Sequence, residues 1–333
     1  MRVTPLRFLA LVAELLLLAL CACVAWFAYG AYADRAFPVQ TTALIVPRGA
    51  TAAQVGRQLA QAGVIRSSLI FSLLVRREHN GDEVRAGQFR FSPHRSVEDV
   101  LAQLVSGGDQ LAIWVTFPEG YTDAQIAQTL ADHQLGDEGS FLRTFARGSL
   151  ELDGARTRSL EGFLFPSTYL IPRFATPEAI ARQLTTQFRS ELPADAAQRA
   201  RRLGLTIPQV VTVASLIERE AKADDERPLM AGVYYNRLRL GMPLQVDATI
   251  EYTFPQHKDV ITLADLARDS PYNTYKHTGL PPTPIANPGR PSLLAALNPR
   301  PSDYLYYVYA GNGHHAFSRT LAEHEANVAR YLH

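Results

Sequence analysis

The chain has 333 residues, 47% of them hydrophobic and 20% charged, with 33 Lys+Arg against 32 Asp+Glu for a formal net charge of +1. Such a length and composition support one large or two medium domains with their own cores and exclude a disordered tail. A balance so near zero excludes a dedicated nucleic-acid binder, which carries a strong basic excess, and only Lys222, Lys258 and Lys276 among the cations are lysines.

Residues 8–29 form a run that is apolar except for Glu14. At about 1.5 Å per residue it spans roughly 33 Å, enough for the hydrocarbon core of a bilayer. Arg2 and Arg7 precede it, so residues 1–7 are expected in the cytoplasm and everything after about residue 30 on the far side. Trp26 and Phe27 blur a small-x-small cleavage pattern, and Trp26 and Tyr29 suit interfacial positions, so a retained anchor is expected rather than a cleaved signal. Leu20-Cys21-Ala22-Cys23 loosely resembles a lipoprotein signal, but the residues after it stay apolar. Glu14 would cost about 2.5–3.5 kcal/mol at a helix centre in lipid, so it must reach either the interface or a partner helix. Both cysteines, Cys21 and Cys23, lie inside this run. Disulfides, zinc–thiolate sites and cysteine nucleophiles are therefore excluded beyond it.

Over 41–108 the pattern predicts a strand at 43–46, helices at 51–61 (N-cap Thr51) and 67–77, a strand at 87–91, and a helix at 96–106 closed by Gly107-Gly108. A strand at 111–117 and a helix at 122–133 follow. Val46-Pro47-Arg48-Gly49-Ala50-Thr51 is echoed by Phe117-Pro118-Glu119-Gly120-Tyr121-Thr122; a weak internal repeat and two ordinary strand-to-helix turns explain this equally well. From about residue 140 the pattern predicts helices at 208–222 and 229–240, a polar strand-like stretch at 244–252, a strand at 304–309 and a closing helix at 320–332. Between them, residues 270–291 hold Pro271, Pro281, Pro282, Pro284, Pro288 and Pro291 beside Tyr272, Asn273, Tyr275 and His277. Such density marks either a linker or the rigid wall of a site.

No phosphate-binding glycine loop, Gly-x-Ser-x-Gly elbow or metalloprotease helix is present: Val328 stands where His324-Glu325 would need a second histidine. No metal site and no cofactor are expected, and the adjacent His314-His315 read as a surface or hydrogen-bonding pair. Ser215 and Lys222, seven apart, leave a Ser–Lys hydrolase conceivable. The 208–222 helix carries Val210, Val213, Ala214, Ile217 and Ala221 on one face, with Glu218 and Glu220 flanking it on opposite sides, each roughly 80° from its centre. A carboxyl at the edge of an apolar face can be dehydrated into a general acid. Periodicity does not choose between the two, and Arg219 and Arg227 are available to pair with Glu220.

Ala214-Ser215-Leu216-Ile217-Glu218-Arg219-Glu220 resembles the signature helix of the YceG-like family of endolytic murein transglycosylases. So do, in order, residues 161–169, Asn236-Arg237-Leu238 with 241–247, 270–275, 279–282, 284–289, Tyr304-Leu305-Tyr306 and 313–317. The resemblance implies an α+β protein: a transmembrane helix at 8–29, a LysM-like βααβ subdomain at 41–108 and a mixed α/β catalytic domain at 109–333. It implies a single-pass bacterial inner-membrane enzyme with a periplasmic body, which cuts peptidoglycan glycan strands internally to leave 1,6-anhydro-N-acetylmuramic acid ends and meets peptidoglycan synthases. The family's catalytic glutamate falls on Glu218, which would act first as acid and then as base. Gln245, Asp247, Tyr272, Asn273 and Tyr275 are candidates for orienting sugars. Ala248, where relatives commonly have proline, puts the strand expected there in question. A non-catalytic wall-binding scaffold is the competing reading.

Overall fold

The apolar run folds as a helix, Pro5–Ala28, extended by a π-helical turn, Tyr29–Ala33, in a computed structural model that describes residues 5–33, 41–79, 84–92, 95–108, 110–254, 258 and 260–332. The stretch Leu11–Ala33 has a mean hydropathy of 2.4, apolar and long enough to be a membrane span or a signal sequence. Leu15, Leu16, Leu18 and Leu20 along it are exposed.

Two units make up the chain: Met1–Val115 with Tyr169–Arg173, and Thr116–Thr168 with Phe174–His333. In the first, strand Thr42–Val46, helices Ala52–Gln61 and Ser68–His79, and strand Gly87–Phe91 follow in the expected order. The two strands are antiparallel neighbours, with Thr42 opposite Phe91 and Val46 opposite Gly87. Phe71, Leu74, Phe89, Phe91 and Leu104 form the core beneath them. Strand Gln110–Thr116 pairs with Gly87–Phe91 and is flanked in turn by Thr168–Pro172, so the sheet runs past the boundary expected at 108/109.

In the second unit the helix Ile207–Glu220 is the central element. Every residue from Val210 to Ile217 is buried, so this helix is wrapped on all sides and only its last turn carries charge. Its start is fixed by a capping box between Thr206 and Gln209 with Pro208 in the first turn, satisfying amides that would otherwise be orphaned. Helices Ala196–Arg202, Arg227–Arg239 and Arg290–Leu297 pack around it.

One expected element is corrected. Residues 244–252 do not form a strand: Asp247–Glu251 is a short helix. Gln245, at φ 53°, breaks the extended run immediately before it, and that left-handed conformation cannot continue a strand. Helices Glu138–Arg147, Pro177–Glu191 and Arg290–Leu297 were not anticipated. Strand Tyr306–Tyr309 pairs with His315–Ser318 as a hairpin. The two echoed turns adopt the same local form: Gly49 and Gly120 have φ 70° and 80°, and each precedes a threonine capping box.

Candidate active site

The last turn of the Ile207–Glu220 helix points three charges in three directions, because successive residues are about 100° apart. Two carboxylates at a helix C-terminus oppose the helix dipole, so each needs partners. The side chain of Glu218 is only 6% exposed. Its Oε1 accepts from Arg227 Nη1 at 3.3 Å, and its Oε2 accepts from the Gly289 backbone N–H at 2.9 Å. Arg227 is held in place by Asp224 at 2.8 Å and by the buried Ser292 hydroxyl at 2.5 Å. Burial works against the Arg227 charge, but Asp224 and Glu218 more than offset it and raise its pKa.

Glu119 enters the same place from the turn before the helix Asp123–Asp132. A Cβ at Gly289 would land on the Glu119 carboxyl, so that carboxyl lies across the residue whose N–H reaches Glu218. Although Glu119 as a residue is exposed, its carboxyl folds back over the chain. That desolvation, and next the charge of Glu218, raise its pKa, against the pull of Arg227.

Asn287, fully buried, fixes this turn. Its N–H donates to Tyr121 O at 2.8 Å, its carbonyl accepts from Gly120 N–H at 2.9 Å, and its side-chain oxygen accepts from Leu164 N–H at 2.8 Å. Its amide also donates to Tyr121 O and to Asp123 Oδ1. Behind it lies a buried carboxyl pair. Asp123 N–H donates to Glu161, and Tyr252 OH donates to Glu161 Oε2 at 3.1 Å. Burial pushes Asp123 up to about 7 against the Asn287 amide, while burial and then the Asp123 charge push Glu161 up.

Glu220 sits elsewhere, about 200° around the helix from Glu218. It does not pair with Arg219 or Arg227 as expected: Arg219 bonds Glu251 at 2.9 Å and Arg227 bonds Glu218. Instead Glu220 accepts from Tyr307 OH at 3.2 Å, and Tyr307 shares a hydrogen bond with Tyr234 at 2.9 Å. Burial, then the charge of Asp247, push Glu220 up to about 7, opposed by the Tyr307 hydroxyl. It lines a cleft of about 640 Å³ together with Gln245, Asp247, Tyr275, Tyr306 and Lys222.

Three of the five sugar-contact candidates are therefore brought together, beside Glu220 rather than beside Glu218. Gln245 Oε1 accepts from Arg237 Nη1 at 3.0 Å, and Tyr275 OH donates to Asp247. The other two are committed to the fold. Asn273 is fully buried, its amide donating to Leu266 O and Arg268 O and its oxygen accepting from Tyr275 N–H, which leaves no surface for a sugar. Tyr272 bonds Thr283 at 2.7 Å and packs its ring on Tyr252. Ser215 is likewise structural: fully buried, it donates to Thr212 O and accepts from Ile285 N–H, so nothing supports a Ser–Lys hydrolase. His315 bonds Glu226 through its N–H at 2.6 Å, whereas His314 is half exposed near Asp225.

Sequence reasoning gave no role to Glu119, Gly289, Asn287 or the Asp123–Glu161 pair, although Glu161 and Asn287-Pro288-Gly289 lie in stretches that carry the family resemblance. One signal was present for the first: the two echoed turns differ by Arg48 in one and Glu119 in the other.

The YceG-like family model matches residues 44–330. An endolytic murein transglycosylase of Bacillus subtilis is 33% identical over 312 residues, covering 88% of this chain and 85% of that protein. One of Streptococcus pneumoniae is 31% identical over 357 residues and 96% of this chain, which spans only 64% of that longer protein. The crystal structure of a YceG-like protein from Listeria monocytogenes superposes with a TM-score of 0.62 at 29% identity, covering 87% of this chain and 99% of that one.

Proposed function

The chain belongs to the YceG-like family, and from that premise we propose that it is an endolytic peptidoglycan lytic transglycosylase. It would cut the β-1,4 bond between N-acetylmuramic acid and N-acetylglucosamine within glycan strands and leave 1,6-anhydro-N-acetylmuramic acid ends. The names of the Bacillus and pneumococcal relatives support the reading. One observation in this chain carries it: a buried glutamate, Glu218, held by Arg227 and the Gly289 N–H at the one charged turn of a buried helix.

In this reaction the muramic acid 6-hydroxyl attacks its own anomeric carbon, so the protein need supply neither a nucleophile nor a bound water. What remains is proton transfer, to the departing oxygen and from the attacking one, and Glu218 works at that centre. Gln245, Asp247 and Tyr275 offer amide, carboxylate and aromatic surface to neighbouring sugars. The helix spanning Leu11–Ala33 anchors the chain in the inner membrane, with the body periplasmic and the short N-terminus cytoplasmic. Residues 41–108 act as a LysM-like glycan grip, and peptidoglycan synthases are the partners whose nascent strands the enzyme terminates.

Purified peptidoglycan incubated with the full chain in detergent is expected to give products lighter than hydrolytic ones by the mass of one water, and Glu218→Gln to give none. Reducing-end products would mean a hydrolase. A folded chain that binds glycan and leaves it uncut would mean a scaffold.

A further inference from the structure

We propose that Glu119 is a second catalytic carboxyl of this site, donating the proton to the departing glycosidic oxygen while Glu218 accepts the proton of the attacking 6-hydroxyl. The assignment rests on the transglycosylase reading and divides between two residues the work that one glutamate was expected to do in succession.

The geometry that points to it is the shared neighbour. Gly289 donates its N–H to Glu218, and its α-carbon is covered by the Glu119 carboxyl. The next residue along from Glu119, Gly120, lies against the Cγ of Glu218. The turn carrying Glu119 cannot drift, because Gly120 N–H and Tyr121 O are both bonded to the buried Asn287 backbone, at 2.9 and 2.8 Å. The two carboxyls are thus preorganised and unlike. Glu218 is buried with both oxygens accepting, whereas Glu119 is exposed and makes no ion pair with Arg227.

The charges facing Glu119 fit a proton donor. From the Ile207–Glu220 helix comes Glu218, from the turn after it Asp224, and from the start of the Arg227–Arg239 helix Arg227, while Arg219 lies against the neighbouring Gly120. Arg219 is committed to Glu251, Arg227 is divided between Asp224 and Glu218, and Arg290, next to Gly289, pairs with Glu191 at 3.5 Å. Partial burial and the neighbouring Glu218 charge both favour the neutral form of Glu119.

The reaction then balances without any outside reagent. The Glu119 O–H breaks as that proton binds the departing 4-oxygen, which leaves with the C1–O4 electron pair. The 6-oxygen bonds to C1, and its proton passes to Glu218. The pair of carboxyls holds one proton before and after, and transfer from Glu218 back to Glu119 resets the site. In a β-linked substrate the departing oxygen lies on the same ring face that the 1,6-anhydro bridge will occupy, so donor and acceptor belong side by side rather than on opposite faces.

The test compares the full-length wild type, Glu119→Gln, Glu119→Asp and Glu218→Gln on two substrates, with folding checked by near-ultraviolet circular dichroism. One substrate is the natural strand; the other is an N-acetylmuramyl oligosaccharide bearing an acidic aryl leaving group, which departs without a proton. Glu119→Gln should lose about 10²–10⁴-fold in kcat on the natural strand, the usual worth of a general acid. It should come within roughly 10-fold of wild type on the aryl substrate. It should also lose the fall in rate at high pH that deprotonation of the donor produces. Glu218→Gln should fail on both substrates. Should Glu119→Gln misfold, Glu119→Asp carries the same comparison, slowed on strands and normal on the aryl glycoside. Equal losses on both substrates would reduce Glu119 to a positioning residue and overturn the proposal, as would full activity on strands. A wild type that releases no anhydro ends would instead sink the transglycosylase reading itself.

Discussion

Replacing Arg227 by leucine should expose how strongly the site depends on one guanidinium. Its side chain and that of Glu218 are 10% and 6% exposed, so the change strands a buried carboxylate rather than breaking a surface pair. Losing one partner of a buried pair costs about 3–5 kcal/mol. The bond to Asp224, whose side chain is 77% exposed, adds little to that. The Ser292 hydroxyl, fully buried, also loses its partner, at about 1–3 kcal/mol. In a Glu218→Gln background no charge is stranded, so Arg227→Leu should then cost only the Ser292 share, leaving a coupling of about 3–5 kcal/mol between the two positions. The assay is urea unfolding followed by tyrosine near-ultraviolet circular dichroism. Of the 14 tyrosines only Tyr29, Tyr32 and Tyr169 lie in the first unit, so the tyrosine signal reports mainly on the unit that holds the site. Costs that add to within about 0.5 kcal/mol would refute the buried pair.

Three further outcomes follow from the same contacts. Gly289→Ala should cut kcat by about 10–100-fold while barely moving the melting temperature, because Gly289 has an ordinary φ of −75° and the new methyl displaces only the Glu119 carboxyl; equal kcat for the two proteins would show that Glu119 does not act from that position. Asp123, raised to about 7, binds a proton in the folded state that the unfolded chain has released above its ordinary value near 3.8. The contribution of Asp123 to stability should therefore be greatest below pH 4 and decline by on the order of a few kcal/mol as pH rises from 4 to 7. Asp123→Asn should flatten that decline, and parallel profiles for the two proteins would contradict it. Ser215→Ala should cost about 1–3 kcal/mol in unfolding free energy by orphaning the buried Ile285 N–H, yet leave the cleavage products unchanged; loss of product at unchanged stability would revive a serine mechanism.

Elements whose signals are local were readable before any coordinates. Thr51, Ser96, Thr122, Thr206 and Thr320 each close a capping box, and the helices they start lie within a residue or two of their expected places. The stretch at 244–252 misled because its alternation looked like a strand, while the deciding feature was one backbone angle at Gln245, which no residue type announces. Asn273 and Tyr272 drew attention as polar and aromatic groups in a proline-rich loop. A loop with few regular backbone bonds must satisfy its amides from side chains, and Asn273 does that for Leu266, Arg268 and Tyr275.

Glu218 and Glu220 are the sharper lesson, since helical periodicity places both at the edge of one apolar face and can say nothing of what each edge meets. The difference between them comes from segments far away in sequence. Arg227, Gly289 and the turn of Glu119 converge on one edge, while Tyr307, Asp247 and Gln245 surround the other. The first edge supplies a fixed acceptor beside a second, partly buried carboxyl, which suits the two proton transfers proposed for one glycosidic centre. The second supplies a cleft with hydroxyl, amide and aromatic surfaces, which suits holding a chain of sugars. The transglycosylase reading needs both, and joining them through the last turn of one rigid helix would set the distance between grip and chemistry without relying on a mobile loop.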